Sequence, residues 1–451
     1  MLKVTLLQKL HIMFKVELIQ LQKKVSNKKQ IHVLFDETTS LPCLYPFLFL
    51  KDELRFQSLS TQYADLSALK LWYLFWYQKY KTSFCLSFYK LRNYETYLTE
   101  LENFIIFLEQ KYKLEKNIFY IGADESIDYG RISANLSSIK KFLIYIIPKY
   151  FQFSEFENNI ISKEELKERI DNINKKLGNI SKNNPKDNNN KFIYKSMNSE
   201  MIKKMLEIIN PSMENNKNPF HNKEYRFRNY LIVYLIYNYG LRVGELMLLT
   251  TSSFKKSIIT LNNPKEETGR YSLIVINSED DYDNRRRSPN IKNEDSKRII
   301  NLEIDDYELI KLYIDKIRKN TNTDILFTTL NSNNNEPLSY AAIYKLFEQI
   351  DSKMKEMVPH YFSDEYFDAI DKITPHVLRH TWAYMTLSYY YNKYLADKKE
   401  ISNPLELAEN ELRELGGWSL KSEMPLHYGR RFLVEIANFR NLERIRKNRQ
   451  G

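Results

Sequence analysis

Cysteine is nearly absent: Cys43 and Cys85 are the only two among 451 residues. Two thiols cannot build a disulfide framework or a four-thiolate zinc site, and they suit a reducing, intracellular compartment. Long apolar runs are missing as well. No stretch approaches the ~20 residues of a membrane-spanning helix. The leading segment MLKVTLLQKLHIMFKVELIQ is broken by Lys3, Lys9 and Lys15 and has no small-residue cleavage site, which reads against a secretory signal. Glycine is scarce, at 10 residues, and none sits in a Gly-Lys phosphate loop, so no nucleotide-driven chemistry is expected. The carboxylates form no evident cluster, and neither a metal nor an organic cofactor is expected. No repeat of fixed period occurs. The expected location is the cytoplasm.

What the chain does carry is positive charge. Lys and Arg number 68 against 57 Asp and Glu, a formal net charge of +11. Such an excess suits an anionic partner, nucleic acid first. The apolar fraction of 43% is enough for true cores. At roughly 100–200 residues per domain, the length implies two to four domains.

Helical periodicity dominates the chain. SALKLWYLFWYQKYKTSFC, NYETYLTELENFIIFLEQKY and ISANLSSIKKFLIYIIPKYF place apolar residues at three- and four-residue spacing, which predicts a helical domain over 41–180. Residues 1–40 carry no clear pattern and are expected to form an N-terminal arm. SKNNPKDNNNK has no apolar residue, so a linker is placed over 181–194. Beyond it, NSEMIKKMLEIINP and FRNYLIVYLIYNYG read as helices, the second ending at Gly240. SIITLNN, YSLIVIN and SKRIINLEI are short and β-branched and predict a small antiparallel sheet. Helices then resume to the end. The fold class is therefore mainly α with a small antiparallel sheet: a helical domain, then an α+β domain with a C-terminal tail over 195–451.

Three short stretches of the second domain gather the chemistry. In ITPHVLRHTWAYM, Thr374 suits a helix N-cap and Pro375 the first helical position. His376 and Arg379, three residues apart, then share a face at a helix start. In GLRVGEL, Arg242 opens a short helix, and Glu245 three residues on can orient its guanidinium. In LRELGGWSLKSEMPLHYGRR, Gly416 and Gly417 end a helix, Trp418 follows, and Tyr428 precedes Arg430 and Arg431. Each stretch also has a plain reading: a capped helix with solvated polar residues, a surface ion pair worth little, a core tryptophan, or one more packed tyrosine among 33.

Taken together and in this order, GLRVGEL, HVLRHT and LGGWS with its following Tyr resemble the three signature boxes of the tyrosine recombinase (phage integrase) family. The resemblance covers about residues 195–440. It implies a helical core-binding domain followed by an α+β catalytic domain. It also implies site-specific breaking and rejoining of DNA through a covalent 3′-phosphotyrosyl intermediate, without metal or ATP. On that reading Tyr428 attacks the phosphate, with His427 the local alternative. Arg242 and Arg379 clamp the phosphate oxygens, supported by Glu245. His376 serves as general base for the tyrosine or holds the phosphate. Trp418 stands where family members carry histidine or tryptophan; an indole donates one N–H but shuttles no proton.

The resemblance also implies a general-acid lysine in the turn between the second and third strands: Lys292 first, Lys297 second, Lys265 third. Arg285, Arg286 and Arg287, with Lys297, are candidates for contact with the DNA backbone. His380 is expected to be structural, hydrogen-bonded to backbone. The implied working form is a homo-tetramer on two DNA sites, with room for accessory DNA-binding factors. The tail after Tyr428, with seven basic and two acidic residues, is expected on DNA or on a neighbouring subunit. Two alternatives stand beside this reading. Type IB topoisomerases and telomere resolvases use much the same residues, and a non-catalytic DNA-binding protein would keep only the fold.

Overall fold

The computed structural model describes residues 13–21, 29–91, 93–115, 129–151, 162, 164–172, 195–214, 217–260, 267–276, 289, 296–318, 323–330, 335–363, 365–396 and 403–450. The chain divides into two compact units, Met1–Asn190 and Lys191–Gly451.

The first unit begins with an antiparallel sheet of β1 (Phe14–Leu21), β2 (Lys29–Asp36) and β3 (Leu41–Pro42), with Phe14 opposite Asp36. This differs from the arm expected before residue 41. Phe14, Val33 and Leu34 are buried in the same core as the helices that follow. Those are α1 (Leu44–Phe49), α2 (Leu59–Tyr80), α3 (Phe84–Leu91), α4 (Tyr94–Glu115), α5 (Tyr129–Phe151) and α6 over 164–172. Ser58 starts α2, its hydroxyl accepting from the Thr61 N–H at 3.2 Å. Leu66, Leu69, Trp72, Tyr73 and Trp76 then form one buried stripe on a helix that packs against β1, β2 and α5. Truncating buried rings of this size typically costs about 3–5 kcal/mol. Among the described residues no helix is long and apolar enough to cross a membrane.

The second unit runs α7 (Ser199–Ile209), α8 (Lys223–Tyr239), α9 (Val243–Leu248), β4 (Phe254–Thr260), β5 (Glu267–Val275), β6 (Arg298–Leu302) and α10 (Ile304–Leu312). It continues with α11 (Tyr340–Met357), α12 (Pro375–Ala396), α13 (Pro404–Gly416), α14 (Met424–Tyr428) and α15 (Arg430–Gln450). The strands pair antiparallel in chain order, Tyr271 opposite Leu302, so the expected fold class holds.

Helix α12 is the spine of this unit and packs against α8, α13, α14 and α15. Two glycines let other segments approach it. Gly240 ends α8 at φ +59°, and a Cβ there would lie 2.2 Å from the Trp382 ring. Gly417 ends α13 at φ +62°, with no room for a Cβ against Ser296. Both conformations are left-handed and favour glycine. The two turns deliver Arg242 and Trp418 to the start of α12.

Candidate active site

The first turn of α12 anchors the site. The Thr374 hydroxyl accepts from the Val377 N–H at 3.2 Å and caps the helix, with Pro375 next in line. Leu378, Arg379, His380, Thr381 and Trp382 are buried, while His376 remains exposed.

Arg379 lies where two helices end. Its Nη1 donates to the Gly240 carbonyl and its Nη2 to the Gly416 carbonyl at 2.8 Å. Helix C-termini collect partial negative charge, so both ends favour a cation. The guanidinium also sits 4.7 Å from the Trp418 ring centre. Arg242 occupies the N-cap of α9. Its N–H donates to Glu245 Oε2 at 2.8 Å, its Nη1 to Glu245 Oε1, and its Nη2 to the Gly417 carbonyl at 3.2 Å. It lies 5.6 Å from the same Trp418 ring.

A third arginine completes the cluster. Arg298, the first residue of β6, donates to both Glu245 oxygens at 3.1 and 3.0 Å. Arg379 Nη1 is 4.0 Å from Glu245 Oε2. Three guanidinium groups therefore share one buried carboxylate, and two positive charges stay uncompensated within the cluster. An anion is what such a cluster lacks.

Tyr428 closes the site from α14. Its ring is buried, 5.3 Å from Trp418, 5.3 Å from His376, 4.2 Å from His380 and 5.7 Å from the Arg379 guanidinium. His427 is exposed and packs at 5.7 Å from His380.

Burial alone would raise the Glu245 pKa, but Arg298, Arg379 and Arg242 outweigh it and hold the carboxyl below its ordinary 4.5. Burial, then the Arg242 charge, pulls Arg379 down to about 9, so it stays cationic at neutral pH. Partial desolvation of its ring lowers His376 although the residue is exposed overall, and Lys195, Arg379 and His427 lower it further, which favours the neutral imidazole.

Because the folded pKa of Glu245 is depressed, its contribution to stability is full above about pH 4.5 and fades as pH falls through the folded value. Glu245→Gln is thus expected to cost about 3–5 kcal/mol at pH 7, the usual result of removing one partner of a buried ion pair. The deficit relative to the parent should shrink in acid. Urea unfolding of both proteins at pH 7 and pH 4 checks this, and a deficit that does not change with pH contradicts it.

The fold brings together Arg242, Glu245, His376, Arg379, Trp418 and Tyr428. Lys292, Lys265, Arg285, Arg286 and Arg287 lie outside the described residues. Lys297 is exposed, between Ser296 and Arg298. Arg431, read as part of a basic tail, turns inward instead. It donates to the Ser196 carbonyl at 2.9 Å and pairs with Asp368 and Glu435, while Arg430 is exposed. Sequence reading missed Arg298. The available signal was period two: Arg298 shares a face of β6 with the buried Ile300 and Leu302, an unusual place for a cation without a partner. Among the described residues no three His, Cys, Asp or Glu side chains lie together as a metal site would need.

Clustered arginines short of an anion, with a phenol beside them, suit chemistry on a phosphodiester. Residues 195–389 match the model of the phage integrase family. The match includes Arg242, His376 and Arg379; Trp418 and Tyr428 follow it in the chain. Among solved structures the chain is similar to the Tn1549 transposon integrase in complex with circular intermediate DNA. Identity there is 13% over 86% of this chain and 94% of that one, with a TM-score of 0.45. It is also similar to the XerH site-specific recombinase bound to a palindromic difH substrate in a post-cleavage complex. Identity is 17% over 85% of this chain and 80% of that one, with a TM-score of 0.45. No curated protein matches the chain in sequence.

Proposed function

We propose that the chain is a site-specific recombinase or integrase that breaks and rejoins double-stranded DNA, with Tyr428 as nucleophile. One observation carries this reading. Arg242 and Arg379, from distant stretches of chain, both meet the Trp418 ring, at 5.6 and 4.7 Å, and Tyr428 packs on the same ring at 5.3 Å.

A phosphodiester held by the two arginines loses much of its repulsion toward an incoming oxygen. The Tyr428 oxygen forms a bond to phosphorus, and the bond from phosphorus to the 5′ oxygen breaks. The phenol proton passes to neutral His376. The leaving oxygen takes a proton from a lysine, the role given to Lys292, with Lys297 next. The Trp418 indole adds one N–H for a phosphate oxygen. Because the phosphotyrosyl link conserves the bond, attack by a 5′ hydroxyl reseals the strand without ATP. Arg285, Arg286, Arg287 and Lys297 take neighbouring backbone phosphates. The working form on this reading is a homo-tetramer holding two DNA sites in the cytoplasm.

The test is direct trapping. The full chain is mixed with nicked suicide duplexes from a randomised pool, and SDS-stable adducts are digested and mapped by mass spectrometry. The DNA-bearing peptide is expected to contain modified Tyr428; attachment at His427 or elsewhere sinks the assignment.

A further inference from the structure

His380 plays no part in the reaction just described, yet it is buried between two residues that do. It stands one helical turn from His376, with ring planes at 89° and Nε2 facing Nε2 at 3.1 Å. Its other nitrogen, Nδ1, lies 3.4 Å from the backbone carbonyl of Tyr428.

These contacts fix the protons. A carbonyl oxygen only accepts, so Nδ1 of His380 must carry hydrogen. Neutral imidazole holds one N–H, which leaves Nε2 of His380 as a lone pair. Two lone pairs cannot face each other at hydrogen-bond distance, so Nε2 of His376 carries the hydrogen. The basic nitrogen of neutral His376 is then Nδ1. We propose that His380 is a positioning residue that sets the His376 tautomer, so that Nδ1 of His376 receives the Tyr428 proton. The inference rests on the tyrosine reading above.

The nucleophile's own carbonyl thus dictates where its base can accept. When Nδ1 of His376 takes the phenol proton, the imidazolium keeps donating Nε2–H to His380, which stabilises the new charge. The groups facing this pair are Arg379 on the same helix, His427 and Tyr428 on α14, and Lys195 before α7. Burial, then the cost of a second charge beside His376, lowers His380 to about 3, against the Tyr428 carbonyl, which raises it. It therefore stays neutral throughout the reaction.

Two measurements test the idea. The chain has seven histidines, few enough for 15N-histidine NMR of the full protein with assignment by single substitution. The expected pattern is Nδ1–H on His380 and Nε2–H on His376; Nε2–H on His380 overturns the proposal whatever the variants do. The second is single-turnover cleavage against pH, on a nicked duplex selected by attachment to the parent chain. His380→Leu should cleave about 10- to 100-fold more slowly, the range for losing such an outer partner. Its acid limb should move to lower pH, because the His376 imidazolium loses an acceptor. His380→Gln, whose amide supplies one donor and one acceptor, should recover most of the rate. A Leu variant with the parental rate and profile defeats the positioning role. Adduct formation by Tyr428→Phe defeats the tyrosine reading instead, so the two failures are distinguishable.

Discussion

Tyr428→Phe is expected to abolish covalent attachment to DNA while leaving the fold and DNA affinity nearly unchanged. The ring makes the packing contacts, against Trp418, His376 and His380, and phenylalanine reproduces them. Removing a hydroxyl at such a position typically changes stability by about 1 kcal/mol. The chemical loss is of another order. Deleting a covalent nucleophile costs on the order of 10⁶ in rate in well-studied hydrolases, which would place adducts below detection on an SDS gel. His427 is the exposed neighbour, its ring edge-on to Tyr428 at 5.8 Å, whereas Tyr428 itself packs 5.3 Å from Trp418 and 5.7 Å from the Arg379 guanidinium. Gel retardation at fixed salt, run beside the SDS assay, separates binding from chemistry. Equal adduct yield from both proteins would remove Tyr428 from the mechanism.

How much of this was legible beforehand depends on how local each signal is. Thr374 and Pro375 before α12, and Gly240 after α8, act within one turn, so their roles could be read directly. The three strands of the second unit showed their β-branched runs. Glu245 followed from its three-residue spacing to Arg242. The N-terminal sheet was less visible. FKVEL alternates as a half-buried strand does, but the adjacent apolar Leu18 and Ile19 break the pattern. Arg298 could be seen on the inward face of β6, yet its partner lies 53 residues away in sequence. Likewise, nothing local says that Arg431 turns inward while Arg430 does not; the phase of α15 against α12 decides it. The His380 link to the Tyr428 carbonyl spans 48 residues and involves a backbone atom, which side-chain patterns do not encode.

Arg379→Ala is expected to bind DNA but cleave it about 100- to 1000-fold more slowly, the usual loss when one preorganised donor to a developing charge is removed. Binding survives because Arg242, Arg298 and the surface cations remain. Stability should also fall. Arg379 ties together the Gly240 and Gly416 carbonyls at the ends of α8 and α13, and each buried carbonyl left without a donor costs about 1–3 kcal/mol. Cleavage must therefore be compared well below the melting temperature of the variant. Arg379→Lys divides charge from geometry. A lysine restores the positive charge but lacks the planar fork that reaches both carbonyls while stacking on Trp418. If charge near the phosphate were sufficient, the Lys variant would cleave like the parent. If the fork must be held rigid, it should recover only part of the loss, with affinity intact. Parental cleavage by Arg379→Ala, measured in single turnover with saturating protein, would show that the buried guanidinium serves the fold alone.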